Sequence, residues 1–450
     1  MHAAPSSSPV TPSPVAPLPS PAPSSSVAPS RSSSASASFP PRSPSSPPRS
    51  SSASSSPAAF AAATPSAAGD GDLADLQRVI GRVHGARRGA CVVFVAGIHG
   101  NEPAGVRAAR RVLLRLAALD GGSGVRGDVV VLAGNLRSLR RGQRYEARDL
   151  NRGWSDDALA ALRARDAATL SAEDAEQREL GDAVDAAFAA ARGDRVLVDL
   201  HTSSAPGIPF VLFGDTVAQC AFVRALPIPL LLGLVEQVDG ILAEHYSRHG
   251  AVTFCVEGGQ HTSADAEHNL EAAVWLSLAQ AGVVDDDLAE VARSRALLDA
   301  ARAGLPHLLE VVFRHAIAPD DDFVMEPGFL NISRAALGQL LARDRRGDIR
   351  APDDGAVVLP LYQKQGSDGF FWARAVSDRR LRLAAALRAL PVDALVRRLP
   401  GIHGDAARPH QLVVDDVVAR RPVMSLLRLL GYRRERRADG RRTLERAPRP

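Results

Sequence analysis

The stretch Val92-Val-Phe-Val-Ala-Gly-Ile-His-Gly-Asn-Glu102 decides the predicted fold. Its β-branched and aromatic residues, bounded by glycine, are typical of a strand that is covered on both faces of an α/β sheet. Pro103 suits the first position of a helix, and apolar residues recur at helical spacing as far as Leu116. The stretch therefore predicts a buried strand, a tight turn that carries His99 and Glu102, and a helix.

His99 and Glu102 lie where that strand ends. Ligands of open α/β sheets gather at the carboxyl ends of strands, and an imidazole and a carboxylate on one turn suit zinc. The spacing also arises by chance, and then it marks a hydrogen-bonded histidine beside a solvated glutamate. A catalytic zinc site needs a third protein ligand and a position for water, so the rest of the chain must supply them.

Composition limits the classes of function. The 450 residues are 45% hydrophobic with a net charge of +4, enough for two or three domains. Residues 376–450 hold 18 arginines and 8 acidic residues, but no nucleic-acid motif accompanies them, so we interpret them as a solvated basic tail. No apolar run approaches the roughly 18 residues that span a bilayer, and the N-terminus lacks a secretory pattern. We therefore expect a cytoplasmic protein without a nucleic-acid or membrane partner.

Changes in composition and hydrophobic pattern along the chain predict four segments. Residues 1–70 are rich in Ser, Pro and Ala, with too few large apolar side chains to offset ordering, and we expect a disordered arm. Residues 71–300 alternate strands with amphipathic helices, which is α/β order. Residues 301–376 hold short apolar runs broken by Pro, Gly and Asp, which predicts a small all-β domain. Residues 377–450 predict short helices on a basic, partly disordered tail.

Two later strands and one loop offer further chemistry. The strand that begins at Arg195 ends at His201, and another strand ends at Glu257. A loop at 134–153 is longer than a structural connection needs. It carries polar residues suited to a substrate: Arg144, Asn151 and Arg152. Each has an ordinary alternative, namely a satisfied strand-end histidine, a solvated glutamate and surface arginines.

Taken together, these residues predict a hydrolase site. His99, Glu102 and His201 would give zinc three ligands and leave one position for water. Glu257 would take the proton of that water and pass it to a leaving nitrogen. One guanidinium would steady the oxyanion, while another arginine and an asparagine would hold a substrate carboxylate.

The sequence leaves the roles of the neighbouring polar residues undecided. Asp199 shares a face with His201 and is either a partner of that histidine or an ordinary structural acceptor. His261 is a candidate for the pocket wall. Ser203 and Ser204 are turn residues to which we assign no nucleophilic role.

Four motifs, in this order, resemble the succinylglutamate desuccinylase and aspartoacylase family of zinc amidohydrolases, relatives of the metallocarboxypeptidases. They are Gly97-Ile-His-Gly-Asn-Glu102, Asp149-Leu-Asn-Arg152, Asp199-Leu-His201 and Val256-Glu-Gly-Gly-Gln260. The likeness covers roughly residues 90–375. It implies a carboxypeptidase-like α/β fold, with a mixed sheet flanked by helices, and a β domain that partly covers the mouth of the active site.

The resemblance also implies a role for each matching residue. It implies that Zn²⁺ is bound by His99, Glu102 and His201, that Glu257 is general base and acid, that Arg144 polarises the carbonyl, that Asn151 and Arg152 bind the substrate carboxylate, and that Asp149 hydrogen-bonds His99. Gly258-Gly-Gln-His261 differs from the pattern of aspartoacylases, and the Asp-Leu-Asn-Arg form differs from that of desuccinylases. The reaction class is therefore implied, and the acyl group and the amino acid are left open.

The expected function is zinc-dependent hydrolysis of an amide bond in a small N-acyl amino acid or a related carboxylate-bearing compound. One alternative is a metallocarboxypeptidase that acts on peptides. Its peptide cleft needs insertions for which the interval between His201 and Glu257 is short. The other alternative is a binding protein that keeps the fold without turnover.

Overall fold

The structure is a computed structural model that describes residues 71–119, 124–302, 304–363, 365–389, 396–404, 408, 410–415, 417, 420–438 and 441–446. The arm predicted at residues 1–70 lies outside these ranges. None of the helices within them combines the length and the apolarity that crossing a bilayer requires.

The α-helices of the described ranges are α1 Gly71–Ala74, α2 Ala104–Ala118, α3 Leu136–Arg141, α4 Asp156–Ala164, α5 Ala172–Ala189, α6 Val217–Val223, α7 Leu242–Arg248, α8 Ala264–Gln280, α9 Ala289–Arg302, α10 Asp378–Ala389 and α11 Arg421–Leu429. Short 3₁₀ turns occur at Leu150–Arg152, Ala167–Thr169 and Val235–Gln237. The predicted helix that follows Pro103 is present, while α4, α6, α7 and α9 were not predicted individually.

The strands of the same ranges are β1 Val79–His84, β2 Arg87–Ala96, β3 Arg126–Ala133, β4 Arg195–Ser203, β5 Phe210–Phe213, β6 Leu230–Leu232, β7 Val252–Gln260, β8 Leu308–Ala316, β9 Val324–Met325, β10 Ser333–Ala335, β11 Leu340–Asp344, β12 Gly347–Arg350, β13 Gly355–Val358, β14 Asp368–Ala375, β15 Ile402–Gly404, β16 Gln411–Asp415, β17 Arg434–Ala438 and β18 Arg441–Glu445.

A mixed sheet forms the centre of the fold. Its strand order is β1-β3-β2-β4-β7-β5-β6-β8-β14-β13-β10. The neighbours β3, β2, β4 and β7 run parallel, whereas β1 and β5 run antiparallel to the strands at either side of this group. The predicted α/β class, with a mixed sheet flanked by helices, is confirmed. The parallel group matters for function because its carboxyl ends meet at one edge.

The alternation of side chains along β2 explains why both faces of the sheet are covered. Val92 and Phe94 point into an apolar cluster that includes residues of α2 and α8. Val93 and Val95 point into a second cluster, on the other face, that includes residues of α5 and α7. Because successive side chains of a strand point to opposite faces, a run without polar residues requires a layer of helices on each side.

The region predicted as a small β domain is built onto the edge of this sheet. Strands β8, β14, β13 and β10 continue the central sheet, and only β9, β11 and β12 form a separate three-stranded sheet. The predicted boundary at residue 301 falls near the end of α9, and the central sheet itself continues beyond it.

The prediction for residues 377–450 needs correction. Beside α10 and α11, the described residues there form an antiparallel sheet in the order β15-β16-β18-β17, with its own apolar cluster. The prediction relied on the high content of arginine and overlooked an alternation of apolar and polar residues, typical of a strand, in which Leu412 and Val414 are buried. A wholly solvated tail is also wrong, because Arg433 is buried against Asp215 and Glu310 of the α/β region.

Candidate active site

A turn at the end of β2 places the first two candidate ligands. Gly97 has a φ of 71°, a left-handed conformation that favours glycine. A Cβ at Gly100 would lie 2.1 Å from the carbonyl carbon of Ser138, so only glycine allows this approach. The backbone N–H of Gly100 donates to the carbonyl oxygen of Arg144 over 3.1 Å. The two glycines thus bring the turn against the loop that carries Arg144.

His99, Glu102 and His201 come together at this edge, and all three are buried. Their candidate ligand atoms lie within 4.8 Å of one another. His99 Nδ1 is 2.9 Å from Glu102 Oε1, and His201 Nδ1 is 3.0 Å from Glu102 Oε2. The backbone N–H of Thr202 donates to Glu102 Oε2 over 3.0 Å and holds that carboxylate. Two imidazoles and a carboxylate form a donor set that zinc takes.

A carboxylate stands behind each histidine. His99 Nε2 is 3.1 Å from Asp149 Oδ1, and His201 Nε2 is 2.9 Å from Asp199 Oδ2. A carboxylate oxygen facing Nε2 accepts a hydrogen bond from that nitrogen, so in the neutral imidazole Nδ1 is the nitrogen that keeps its lone pair. Both Nδ1 atoms face Glu102. The sequence indicated Asp149 through its motif and left Asp199 open, and the structure places the two in equivalent positions.

The charges of the site reinforce one another despite burial. Burial acts to raise the pKa of Glu102, but the charges and hydrogen bonds of His99 and His201 outweigh it and hold that pKa well below its ordinary value. Burial acts to lower the pKa of His201, but Asp199 and Glu102 raise it well above the ordinary value. These side chains by themselves therefore pair a carboxylate with a protonated imidazole in close contact.

Glu257 lies next to His201 because β4 and β7 are parallel neighbours in which the two residues pair in register. Its side chain is buried, and its Oε2 atom makes no hydrogen bond to any residue that the structure describes. Burial, with the charge of Glu102, raises the pKa of Glu257 to about 8, although His201 and Arg144 act in the opposite direction. Glu257 is thus a carboxyl group that has one oxygen without a hydrogen-bond partner and a pKa raised toward neutral pH.

The loop residues also reach the site. Arg144 Nη2 lies 3.0 Å from His99 Nε2 and 3.2 Å from Asp149 Oδ2. Asn151 Oδ1 accepts a hydrogen bond of 2.8 Å from the backbone N–H of Leu242. Arg152 Nη2 donates to Asp368 Oδ2 over 2.8 Å. All three predicted loop residues line the cavity, but Asn151 and Arg152 already have protein partners.

The cavity has a volume of about 130 Å³, and one of its walls comes from the region after β13. That wall includes Leu359, Pro360, Leu361, Gln363, Gly366, Asp368 and Phe371. His261 also lines the cavity, with Nδ1 2.8 Å from Thr202 Oγ1 and Nε2 3.3 Å from Gln363 Oε1. Gln363 and Asp368 were not predicted, since no strand end or motif marks them in the sequence.

The serines after His201 are structural. Ser203 Oγ donates to the carbonyl oxygen of Ala205 over 3.0 Å and accepts a hydrogen bond of 2.7 Å from Asn331 Nδ2. Ser204 Oγ accepts a hydrogen bond of 3.2 Å from the backbone N–H of Tyr362. These contacts fasten the strand end to the residues around 331 and 362.

The sequence of this chain is similar to known proteins of one family. Residues 88–277 match a family model described as the succinylglutamate desuccinylase/aspartoacylase catalytic domain. A succinylglutamate desuccinylase of Burkholderia thailandensis is 28% identical over 287 residues, which are 60% of this chain and 74% of that protein.

Two solved structures are similar to this chain at lower identity. The succinylglutamate desuccinylase of Chromobacterium violaceum is 21% identical, with a TM-score of 0.46 over 65% of this chain and 86% of that one. A succinylglutamate desuccinylase/aspartoacylase of Rhodobacter sphaeroides is 17% identical, with a TM-score of 0.49 over 66% of this chain and 88% of that one.

Proposed function

We propose that this chain, which belongs to the succinylglutamate desuccinylase/aspartoacylase family, is a zinc-dependent amidohydrolase. Its substrate would be a small N-acyl amino acid or a related carboxylate-bearing compound. The observation that carries the proposal is the meeting of His99, Glu102 and His201 beside Glu257 in one cavity. A donor set for zinc next to a buried carboxyl with a free oxygen suits metal-assisted hydrolysis of an amide.

The residues present fit a zinc ion. Both Nδ1 atoms face the same carboxylate, and the carboxylates behind them favour the tautomer in which Nδ1 can be a ligand. Zn²⁺ bound there would polarise the scissile carbonyl and lower the pKa of a water molecule.

Glu257 supplies the proton transfer. Its side chain lines the cavity, pairs in register with His201, and has an Oε2 atom with no hydrogen-bond partner among the described residues. Glu257 takes the proton of the attacking water and delivers it to the leaving nitrogen as the amide bond breaks. The free amino acid and the carboxylic acid are the products.

The arginines supply charge for the substrate. Arg144 is mostly buried, and its guanidinium is held by Asp149 at the edge of the donor set. It is placed to steady negative charge on the carbonyl oxygen. Arg152 would bind the substrate carboxylate, which replaces the carboxylate of Asp368 as its partner, with Asn151 beside it. This exchange favours a substrate that carries an acidic group.

The wall to which Leu359, Gln363 and Phe371 contribute favours a small substrate over a peptide. Its apolar and polar side chains line the cavity together with the candidate ligands. A polypeptide would have to leave the cavity past this wall. A compact acylated amino acid can be enclosed by it.

The proposal is tested with Glu257→Gln. Bound zinc and the release of free amine are measured on a panel of N-acyl amino acids and on peptides with free C-termini. We expect zinc to be retained and the rate to fall by about 10²- to 10⁴-fold, because the proton transfer is lost. Glu236→Gln is a matched control, since Glu236 is a half-buried residue with a raised pKa whose Oε1 accepts a hydrogen bond from the backbone N–H of Asp215 outside the cavity.

Each outcome has a distinct meaning. Unchanged activity in Glu257→Gln would remove Glu257 from the mechanism. Preferential release of C-terminal residues from long peptides would favour a metallocarboxypeptidase. A protein that binds zinc tightly and hydrolyses neither class would be a binding protein on this fold.

A further inference from the structure

We propose that Asp156, His245 and His249 form a second site for a divalent transition-metal ion, with Zn²⁺ as the probe. The site lies at the surface, where the start of α4 meets the end of α7. It shares no residue with the candidate active site and does not depend on the proposed function.

The distances between the donor atoms are close to those of a metal site. Asp156 Oδ1 lies 3.2 Å from His245 Nδ1 and 4.0 Å from His249 Nε2. The candidate ligand atoms of the three residues all lie within 4.8 Å of one another. With metal–ligand bonds of about 2.0–2.1 Å, tetrahedral donors lie about 3.3 Å apart. The distance between Asp156 Oδ1 and His249 Nε2 exceeds this value by about 0.7 Å, and the side chain of His249 is exposed, so it can move closer by rotation.

The backbone of α7 prepares His249 as a ligand. His245 and His249 are four residues apart and lie on one face of the helix, a spacing that binds zinc elsewhere. His249 Nδ1 is 2.8 Å from the carbonyl oxygen of His245. A carbonyl oxygen only accepts, so Nδ1 carries the proton and Nε2 keeps its lone pair toward Asp156.

His245 is the second imidazole donor. Its Nδ1 atom is buried and faces Asp156 Oδ1 across 3.2 Å. Its ring packs beside Trp154, with ring centroids 6.4 Å apart, which limits the rotation of His245.

An ion at this site would link two segments that also border the active site. The backbone N–H of Trp154, two residues before Asp156, donates to the carbonyl oxygen of Gly240 over 3.0 Å. The first residue of α7, Leu242, donates its backbone N–H to Asn151. The ion would therefore fasten the loop that follows Asn151 to the helix that holds the Asn151 side chain.

Zinc stoichiometry tests the site. The full chain without a polyhistidine tag is stripped of metal and dialysed to equilibrium at a fixed free zinc concentration. Four proteins are compared: wild type, His249→Ala, His201→Ala and the double variant. If each cluster binds one ion, we expect about two, one, one and no bound ions respectively. His268→Ala, which removes an exposed histidine outside both clusters, should bind as wild type does.

A second variant keeps the helix intact. Asp156→Asn in the His201→Ala background should weaken the remaining zinc by about tenfold, because a neutral amide oxygen replaces a charged ligand. The inference is overturned if His201→Ala and the double variant bind the same amount of zinc, or if Asp156→Asn leaves the affinity unchanged. Loss of amide hydrolysis in Glu257→Gln has no bearing on these counts.

Discussion

The two histidine–carboxylate clusters differ in what stands around their ligands. In the active-site cluster the side chains of His99, Glu102 and His201 are 6%, 2% and 7% exposed. In the surface cluster those of Asp156 and His249 are 59% and 54% exposed. Each active-site histidine has an aspartate behind it, whereas His249 has a backbone carbonyl.

The two donor sets are similar, but their surroundings would give a bound ion different purposes. The active-site cluster opens into a cavity with Glu257 and Arg144, so an ion bound there would face a carboxyl group and a guanidinium. The surface cluster opens to solvent, and Arg195 meets it through the backbone carbonyl of His249. An ion in the cavity would be placed for chemistry, and an ion at the surface would join two segments.

The largest expected difference between the clusters is in activity. His201→Ala removes a ligand of the cavity site and should lower amide hydrolysis by at least about 10³-fold, since a catalytic ion contributes several kcal/mol to the transition state. His249→Ala should change the rate by less than about threefold. The two rates are measured on one N-acyl amino acid at saturating zinc. Equal losses would erase the functional distinction between the clusters.

A smaller difference is expected from the residues behind the ligands. Asp199→Asn keeps the shape of the buried side chain but weakens the acceptor that faces His201 Nε2. Zinc affinity at the active site should fall about ten- to a hundredfold, while the surface cluster is unaffected. Competition with a chromophoric chelator, in the His249→Ala background, measures the active site alone. Affinity equal to that of the parent would show that Asp199 is only a structural acceptor.

The smallest difference is in pH dependence. The pKa of His201 is raised by Asp199 and Glu102 against the effect of burial, so zinc must displace a proton there near neutral pH. Active-site affinity should therefore rise with pH, by about tenfold per unit for one released proton, until the raised pKa is passed. The pKa of His245 is lowered by burial, so surface affinity should level off at a lower pH. Titration of the His249→Ala and His201→Ala proteins separates the two slopes.

Much of the fold and of the site follows from local sequence. Val92–Glu102 predicted the central strand, the turn and the helix because burial on both faces demands an uninterrupted apolar run. His201 and Glu257 were recognised because polar residues at the ends of such runs meet at one edge of a sheet. The family resemblance is confirmed by the match over residues 88–277. The catalytic roles of His201 and Glu257 remain predictions.

The C-terminal region shows where this reasoning fails. A high content of arginine suggested a solvated tail, yet Arg433 is buried between Asp215 and Glu310. Burial of a guanidinium depends on acidic partners far along the chain, which composition does not reveal. The same holds for Asp368, which reaches Arg152 only because β14 joins the far edge of the central sheet.

The sequence by itself determined the α/β order, the strand-end ligands and the reaction class that they suggest. These features depend on periodicity and turn chemistry, which can be recognised within short segments of the sequence. Only the tertiary structure placed Asp199 behind His201, closed the cavity with residues 359–371, and brought Asp156 to the histidines of α7. Contacts of this kind are set by how helices and strands pack, and spacing along the chain does not record them.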